Sequence, residues 1–358
     1  MRNKKAWALA LTGLSSMLDA APAIGEPNIS LYGAADVGFN RTSNREGSYY
    51  NEIRSGNLYT SRFGMRGQED LGGGLTAIFN LESGINMANG TPSSPAIYWN
   101  RQSWAGLSYR PWGQITLGNQ LPVISDVFVQ WTNSLYVGNA AAAIDGAAQA
   151  AGSSAARFNN MIGGTRVANM IKLTSANFAG FKLIAMAALR ESSQTLGHMH
   201  SVGMSYGAGP VDLGLAWHQM GCPGDNGCET DKAKETLHAI GANLRFGQGG
   251  RVGTYWTRER NARNVSGRNG DVLSFLVVYP LSYWTLMAGY QQLNDRTAAD
   301  QNIKQINLGF RYALSKRTDL YALYNQQKVD NGGKAGMYSE LSSSSKQSQV
   351  SLGVRHMF

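Results

Sequence analysis

Along Asn28–Asn40 apolar and polar or small side chains alternate without a slip, and no part of the chain offers the run of about 18 apolar residues that a membrane helix needs. Ile29, Leu31, Gly33, Ala35, Val37 and Phe39 fall on one face; Ser30, Tyr32, Ala34, Asp36, Gly38 and Asn40 fall on the other. A period of two sustained this long predicts an extended strand, of a length that suits a tilted crossing of hydrocarbon. The last segment repeats the pattern, with Val350, Leu352, Val354, His356 and Phe358 alternating with Ser351, Gly353, Arg355 and Met357. So do Phe181, Leu183, Ala185, Ala187 and Leu189; Val211, Leu213, Leu215 and Trp217; and Ile306, Leu308, Phe310 and Tyr312. At 184–188 both faces are apolar, as expected where one of them meets a neighbouring subunit or an inner loop.

Composition agrees. Only 15% of the 358 residues are charged, and 43 are glycine, about 12% against a usual ~7%. Long helices and disorder are both disfavoured, and a helical membrane protein does not fit. Strand patterns come in pairs. Short turns are expected at Glu69–Gly74, Arg110–Gly113, Ala176–Gly180, Ala208–Pro210, Gly247–Gly250, Pro280–Tyr283 and Ala313–Thr318. Long polar loops are expected near 41–56, 86–97, 120–160, 191–198, 220–234, 258–269, 294–301 and 329–346. Seven turns and eight loops imply sixteen strands, an even number at ordinary barrel spacing. Tyr59, Tyr109, Trp112, Trp256, Tyr279, Trp284, Tyr312 and Tyr324 lie near strand ends, where amphipathic rings meet headgroups, although plain β-propensity also favours them. A soluble sandwich would explain the alternation, but not an apolar face on every strand beside connections that are short on one side only. The fold class is all-β: a 16-stranded antiparallel transmembrane β-barrel.

The N-terminus reads as an export signal. Arg2, Lys4 and Lys5 precede a short apolar stretch, Ala6–Leu18, and Ala21-Pro22-Ala23 offers an A-x-A cleavage site. Residues 1–23 are thus expected to be a signal peptide and 24–358 the barrel domain. Losing three basic residues and Asp19 lowers the formal charge from +9 to +7. The lysines and arginines are scattered, which points to an anion-tolerant surface or lumen and not to a nucleic-acid tail. Cys222 and Cys228 enclose Pro-Gly-Asp-Asn-Gly. Five turn-forming residues bring two Cα atoms within bonding range, and an exported protein favours a disulfide over a metal site, which would need more ligands.

Several segments stand out in order: Asn28-Ile-Ser-Leu-Tyr-Gly33, Thr60-Ser-Arg-Phe-Gly-Met-Arg-Gly67 leading into Glu69-Asp-Leu-Gly-Gly-Gly-Leu75, Gly113-Gln-Ile-Thr-Leu-Gly118, Asn177-Phe-Ala-Gly-Phe181, Tyr312-Ala-Leu-Ser-Lys-Arg-Thr318 and Gly353-Val-Arg-His-Met-Phe358. Together they resemble the general diffusion porins of Gram-negative bacteria, in their beta-proteobacterial branch. The resemblance covers the whole mature chain. It implies a homotrimer in the outer membrane, in contact with lipid and lipopolysaccharide, with an in-folded third long loop facing a basic wall. It also implies that Phe358 is part of the signal read by the barrel assembly machinery. The cargo is then small polar solutes and anions moving passively, with no cofactor, metal or nucleic acid.

Such a protein makes and breaks no bonds; pore width and field select what passes. Arg62 shares its face with Gly64, Arg66 and Gln68, opposite Tyr59, Phe63 and Met65. An arginine facing lipid at mid-membrane would cost about 2–4 kcal/mol, so Arg62 and Arg66 are expected to line the pore. Arg166 and Lys172 share parity, and Arg166-Val-Ala-Asn169 resembles the motif after the third loop. Arg101 resembles a third wall arginine, yet its parity with Ala105 and Leu107 points it outward unless it lies above the membrane or a bulge intervenes. The third loop lacks the acidic turn of its relatives. Asp126 and Asp145 are its only acids, and alanine runs at 140–143 and 147–151 replace that turn; few acids there favour anions.

Three other readings compete. A substrate-selective channel for a sugar or organic acid would want lumen aromatics, to which Tyr32, Tyr255 and Trp104 contribute. An outer-membrane enzyme would need nucleophile, base and orienter on one face, and none of His198, His200, His218, His238 and His356 lies in such a motif. Adhesion through the long loops would be compatible with a pore.

Overall fold

The computed structural model describes residues 28–145, 160, 162, 166–189, 198–221, 233–337 and 340–358. The proposed signal peptide and both cysteines, Cys222 and Cys228, lie outside the described residues. The first strands are β1 (Asn28–Arg45), β2 (Ser48–Ser55, resumed as Arg62–Gly72), β3 (Leu75–Gly84), β4 (Gln102–Tyr109) and β5 (Gly113–Gln120). After a partly helical connection come β6 (Val167–Ser175), β7 (Phe181–Ala188), β8 (Met199–Ala208), β9 (Val211–Met220), β10 (Glu235–Phe246) and β11 (Gly250–Arg260). The series ends with β12 (Gly270–Leu281), β13 (Trp284–Asp295), β14 (Ile303–Ala313), β15 (Thr318–Val329) and β16 (Lys346–Met357).

Each strand pairs antiparallel with its sequence neighbours, and β1 closes the ring on β16 from Ala34↔Met357 to Thr42↔Gln349. Beyond that ladder Gly33 and Phe358 exchange both backbone hydrogen bonds, at 2.9 and 3.1 Å. Closure leaves the barrel sheet itself no free edge, which hydrocarbon requires because it offers no water to unpaired N–H and C=O groups. The expected count of sixteen stands, and all seven expected short turns join strands.

The alternation sorts as the sequence predicts. Leu31, Leu183, Leu213, Leu215, Phe310 and Leu352 are exposed on the outside, while Ala34, Asp36, Asn40, Ala216, His218, Asn307 and Ser351 are buried within. At the end of the barrel that carries the short turns, Tyr109, Trp112, Tyr279, Tyr283 and Trp284 stand exposed as an aromatic girdle.

The first connection departs from expectation. Residues 41–56 read as a polar loop, but β1 runs to Arg45, Glu46–Gly47 make a tight turn at positive φ, and β2 begins at Ser48. The Arg41 and Arg45 guanidinium groups stack on the Tyr49 and Tyr50 rings at 4.3 and 3.9 Å, so polar side chains serve as strand faces. The irregularity lies further on. Only Ala35 and Asp36 of β1 stand opposite the six residues Gly56–Ser61 of β2, which buckle inward. Buried Asp36 holds the buckle: its carboxylate accepts N–H groups from Asn57, Leu58 and Tyr59 (2.8–3.2 Å) and the Tyr321 hydroxyl (2.7 Å). Tyr59, expected to face lipid with Phe63, is thereby carried to the inside.

Candidate functional site

Residues 121–145 supply the contacts that line one side of the barrel interior. Helix α1 (Val123–Phe128) follows Pro122, and short turns of helix continue through α2 (Asn133–Tyr136) and α3 (Ala142–Asp145). The wall they meet is built of glycines. A Cβ at Gly203, Gly214 or Gly241, all on the inward parity of β8–β10, would lie 2.6–2.9 Å from Val123, Val127 or Phe128. Phe128, Trp131 and Tyr255 pack as an aromatic cluster, with ring centroids 5.2 and 6.1 Å from Phe128. This explains the doubly apolar stretch at 184–188: Ile184, Met186 and Ala188 belong to the same buried cluster as α1. Further along, Asn133 Nδ2 donates to Ser274 Oγ at 2.8 Å, and Asn139 N–H donates to the Asn57 carbonyl at 2.7 Å. The segment thus runs along the inner face from β7 to β15 and touches the buckle in β2.

The opposite wall carries the arginines. Glu82, inward on β3, takes a hydrogen bond from Arg101 Nε at 2.6 Å and lies 3.5 Å from Arg62 Nη1. The Tyr32 hydroxyl also reaches it, at 3.1 Å. Arg62 stacks on Tyr59 at 4.0 Å, and Arg355 approaches that ring at 5.7 Å. Arg66 is exposed on the inner face, over Tyr32 at 5.3 Å. Arg101 precedes β4 in a bend, so the parity argument does not govern it, and its side chain turns inward to Glu82. Arg166 sits beside it, with Nε donating to the Arg101 carbonyl at 3.1 Å. Burial, reinforced by the Arg101 charge, lowers Arg166 to about 9, which leaves it a cation at neutral pH.

The expected shared parity of Arg166 and Lys172 does not hold along the backbone. A register shift opposite Gly118–Gln120, with Asn169 at φ 51°, turns Val167 inward and separates the two. Lys172 is inward but buried, its Nζ 2.8 Å from Asp126 Oδ2 and 3.1 Å from the Leu121 carbonyl. Burial raises the Asp126 carboxyl and the Lys172 ammonium opposes the rise. This pair therefore pins the start of α1 to the wall instead of facing open water. Tyr255, one of the three candidate lumen aromatics, is likewise covered, while Tyr32 and Trp104 stay half-exposed.

Sequence reasoning passed over Glu82 and a second basic group. Arg311 and Arg355 flank Asp319 on the inner faces of β14–β16, Arg311 Nε at 3.5 Å and Arg355 in direct contact. Arg251 stacks on Tyr136 at 5.0 Å. Parity alone would have found Arg311 and Arg355, since both alternate with outward apolar residues. Their pairing with Asp319 across strands needed the register. Among the described residues no group of histidine, cysteine and acidic side chains is placed to hold a metal.

Comparisons with known proteins agree with this architecture. The family model described as Gram-negative porin matches residues 6–332. The chain is 30% identical to outer membrane porin protein 32 of Delftia acidovorans, over 97% of this chain and 99% of that one. It is 26% identical to an outer membrane porin protein of Bordetella pertussis, over 95% of this chain and 96% of that one. The solved anion-selective porin from Comamonas acidovorans superposes with a TM-score of 0.77 at 24% identity, covering 93% of this chain and all of that one. A closed sixteen-stranded barrel, a charged inner wall and a family match over most of its length together place this chain in the Gram-negative porin family, as an outer-membrane channel.

Proposed function

We propose that this porin is a passive, anion-preferring diffusion pore for small hydrophilic solutes, narrowed by residues 121–145 against the wall of Arg62, Arg66, Arg101 and Arg166. The observation that carries the reading is the imbalance of inward charge. Among the described residues those four arginines, with Arg311 and Arg355, outnumber the acids set among them, Glu82, Asp319 and Asp36, and Asp126 is taken up by Lys172. A low-dielectric rim focuses such a field into the aqueous path, lowering the barrier for anions and raising it for cations. Reversal potentials across planar bilayers in a potassium chloride gradient test it. The expected sign is that of chloride permeating faster than potassium; cation preference would overturn the proposal.

A substrate-selective variant of the same reading draws on Tyr59, set between Arg62 and Arg355, as a patch that suits a carboxylate. Saturating flux of one organic acid, against linear flux of others, would favour it.

The rest of the assignment extends from the family. Residues 1–23 are proposed to direct export, Cys222 and Cys228 to close an outer loop by a disulfide, and Phe358 to serve as the assembly signal. Homotrimeric assembly is supported by the exposed apolar side chains of β1, Leu31 at 74% exposure among them, which need a lipid or protein cover. Contact with lipopolysaccharide is supported by Lys304, Lys328 and Lys346, which stand directly opposite one another on the outward face of β14–β16. Like charges so placed repel, and Asp330 lies near only two of them, so bound phosphate groups would relieve the row.

A further inference from the structure

The last long connection, between β15 and β16, also turns inward. Ala335 and Met337 are fully buried, and the short pairing of Gly336–Met337 with Glu340–Leu341 makes a small hairpin at the tip. This tip hangs on the inner wall by two backbone donors: Gly336 N–H to Gln327 Oε1 at 2.8 Å and Met337 N–H to Gln347 Oε1 at 2.7 Å. From Gln327 a chain of side-chain amides crosses the wall. Gln327 Nε2 donates to Gln305 Oε1 (2.9 Å), Gln305 Nε2 to Asn307 Oδ1 (2.8 Å), and Asn307 Nδ2 to Gln291 Oε1 (2.8 Å). The chain ends on the constriction segment, where Gln305 Nε2 donates to the Ala140 carbonyl (3.1 Å) and Gln291 Nε2 to the Ala141 carbonyl (3.3 Å).

All four amides are completely buried, so water cannot replace a lost partner. A backbone donor at one end and backbone acceptors at the other admit one orientation for every amide between, since flipping any of them breaks bonds on both sides. The tip and the segment near Ala140–Ala141 therefore share one polar framework, although about 195 residues separate them in sequence.

We propose that Gln327, Gln305, Asn307 and Gln291 are positioning residues for permeation, which couple the outer loop tip at Ala335–Met337 to the constriction. Displacing the tip from outside the cell then loosens the narrow part of the pore. The proposal deepens the constriction reading above and rests on it.

Single-channel recording on the full-length assembled porin tests it, with hydrogen exchange as an independent readout. Met337→Asp expels the tip without substituting a residue of the barrel wall, and Gln327→Met and Gln305→Met cut the chain at a near-isosteric side chain. Each is expected to raise open-channel current noise by at least about fivefold, since each costs two or more of these hydrogen bonds and even one ordinary bond shifts a two-state population by about that factor. Gln305→Met combined with Gln327→Met should add little to either alone. In Met337→Asp, deuterium uptake should rise in the peptide spanning 133–141. Unchanged noise and unchanged uptake there would overturn the coupling, as would additive effects of the two glutamine changes. Asn133→Ala with Asn139→Ala frees the segment directly. Wild-type conductance in that variant would sink the constriction reading itself, whereas altered conductance there with a silent Met337→Asp would sink only the coupling.

Discussion

Glu82 is the acid around which the arginine wall is arranged, with Arg101 at 2.6 Å, Arg62 at 3.5 Å and the Tyr32 hydroxyl at 3.1 Å. Glu82→Gln keeps the hydrogen-bonding shape and removes the charge. A unit charge about 4 Å away in a water-like dielectric is worth about 1 kcal/mol to each ion, with opposite sign for anion and cation, so the anion-to-cation permeability ratio should rise, by at most about thirtyfold before salt screening. Arg62→Ala should lower the same ratio, and reversal potentials read both. Asp36 acts on the wall at one remove. Asp36→Ala leaves the Asn57, Leu58 and Tyr59 N–H groups and the Tyr321 hydroxyl without their buried acceptor, at about 1–3 kcal/mol for each group left unsatisfied. The expected result is a lower unfolding temperature in detergent gels and weaker anion preference, because the buckle that presents Tyr59 to Arg62 loosens. Tyr321→Phe, which removes one partner only, should do less.

At the scale of elements, strands were legible, whereas the seat of the expected inner loop was not. The outward faces of β7, β9, β14 and β16 follow directly from alternation, because lipid imposes the same demand at every second position. Helix α1 owes its seat to Gly203, Gly214 and Gly241, which come from three different strands and line up only when those strands are in register. Gly214→Ala would set a methyl 2.7 Å from Val127 and 2.8 Å from Trp131. Overpacking of this kind costs about 1–3 kcal/mol, and the cheaper response is for α1 to move off the wall into the lumen. Single-channel conductance should therefore fall while the folded, heat-modifiable form persists; an unchanged conductance would place α1 elsewhere than against the wall.

For the whole molecule the governing division is between an apolar exterior and a polar, partly filled interior. Leu308 lies mid-strand on β14 with an exposed outward side chain. Leu308→Arg should destabilise the barrel by about 2–4 kcal/mol, seen as a lower midpoint in urea titrations of the bilayer-folded protein. Asn307→Arg, one residue along, points inward and should instead disturb the filled side of the interior, with altered current noise. The interior is filled unevenly. Ser274, Gln291, Gln305, Asn325 and Gln327 on β12–β15 are shut off from water, whereas Arg66 across the lumen is exposed.

Sequence alone determined the strand count, the lipid side of the strands whose alternation is plain, and the inward parity of Arg62 and Arg66, since each follows from a local period of two imposed by one continuous solvent. It misplaced the first loop and missed the buckle at Gly56–Ser61, because Asp36 holds that buckle from the neighbouring strand. It could not tell that Lys172 would be spent on Asp126, or that Arg311, Arg355 and Asp319 would meet. Those outcomes rest on contacts between side chains of different elements, and only the folded barrel, with its register, brings them together.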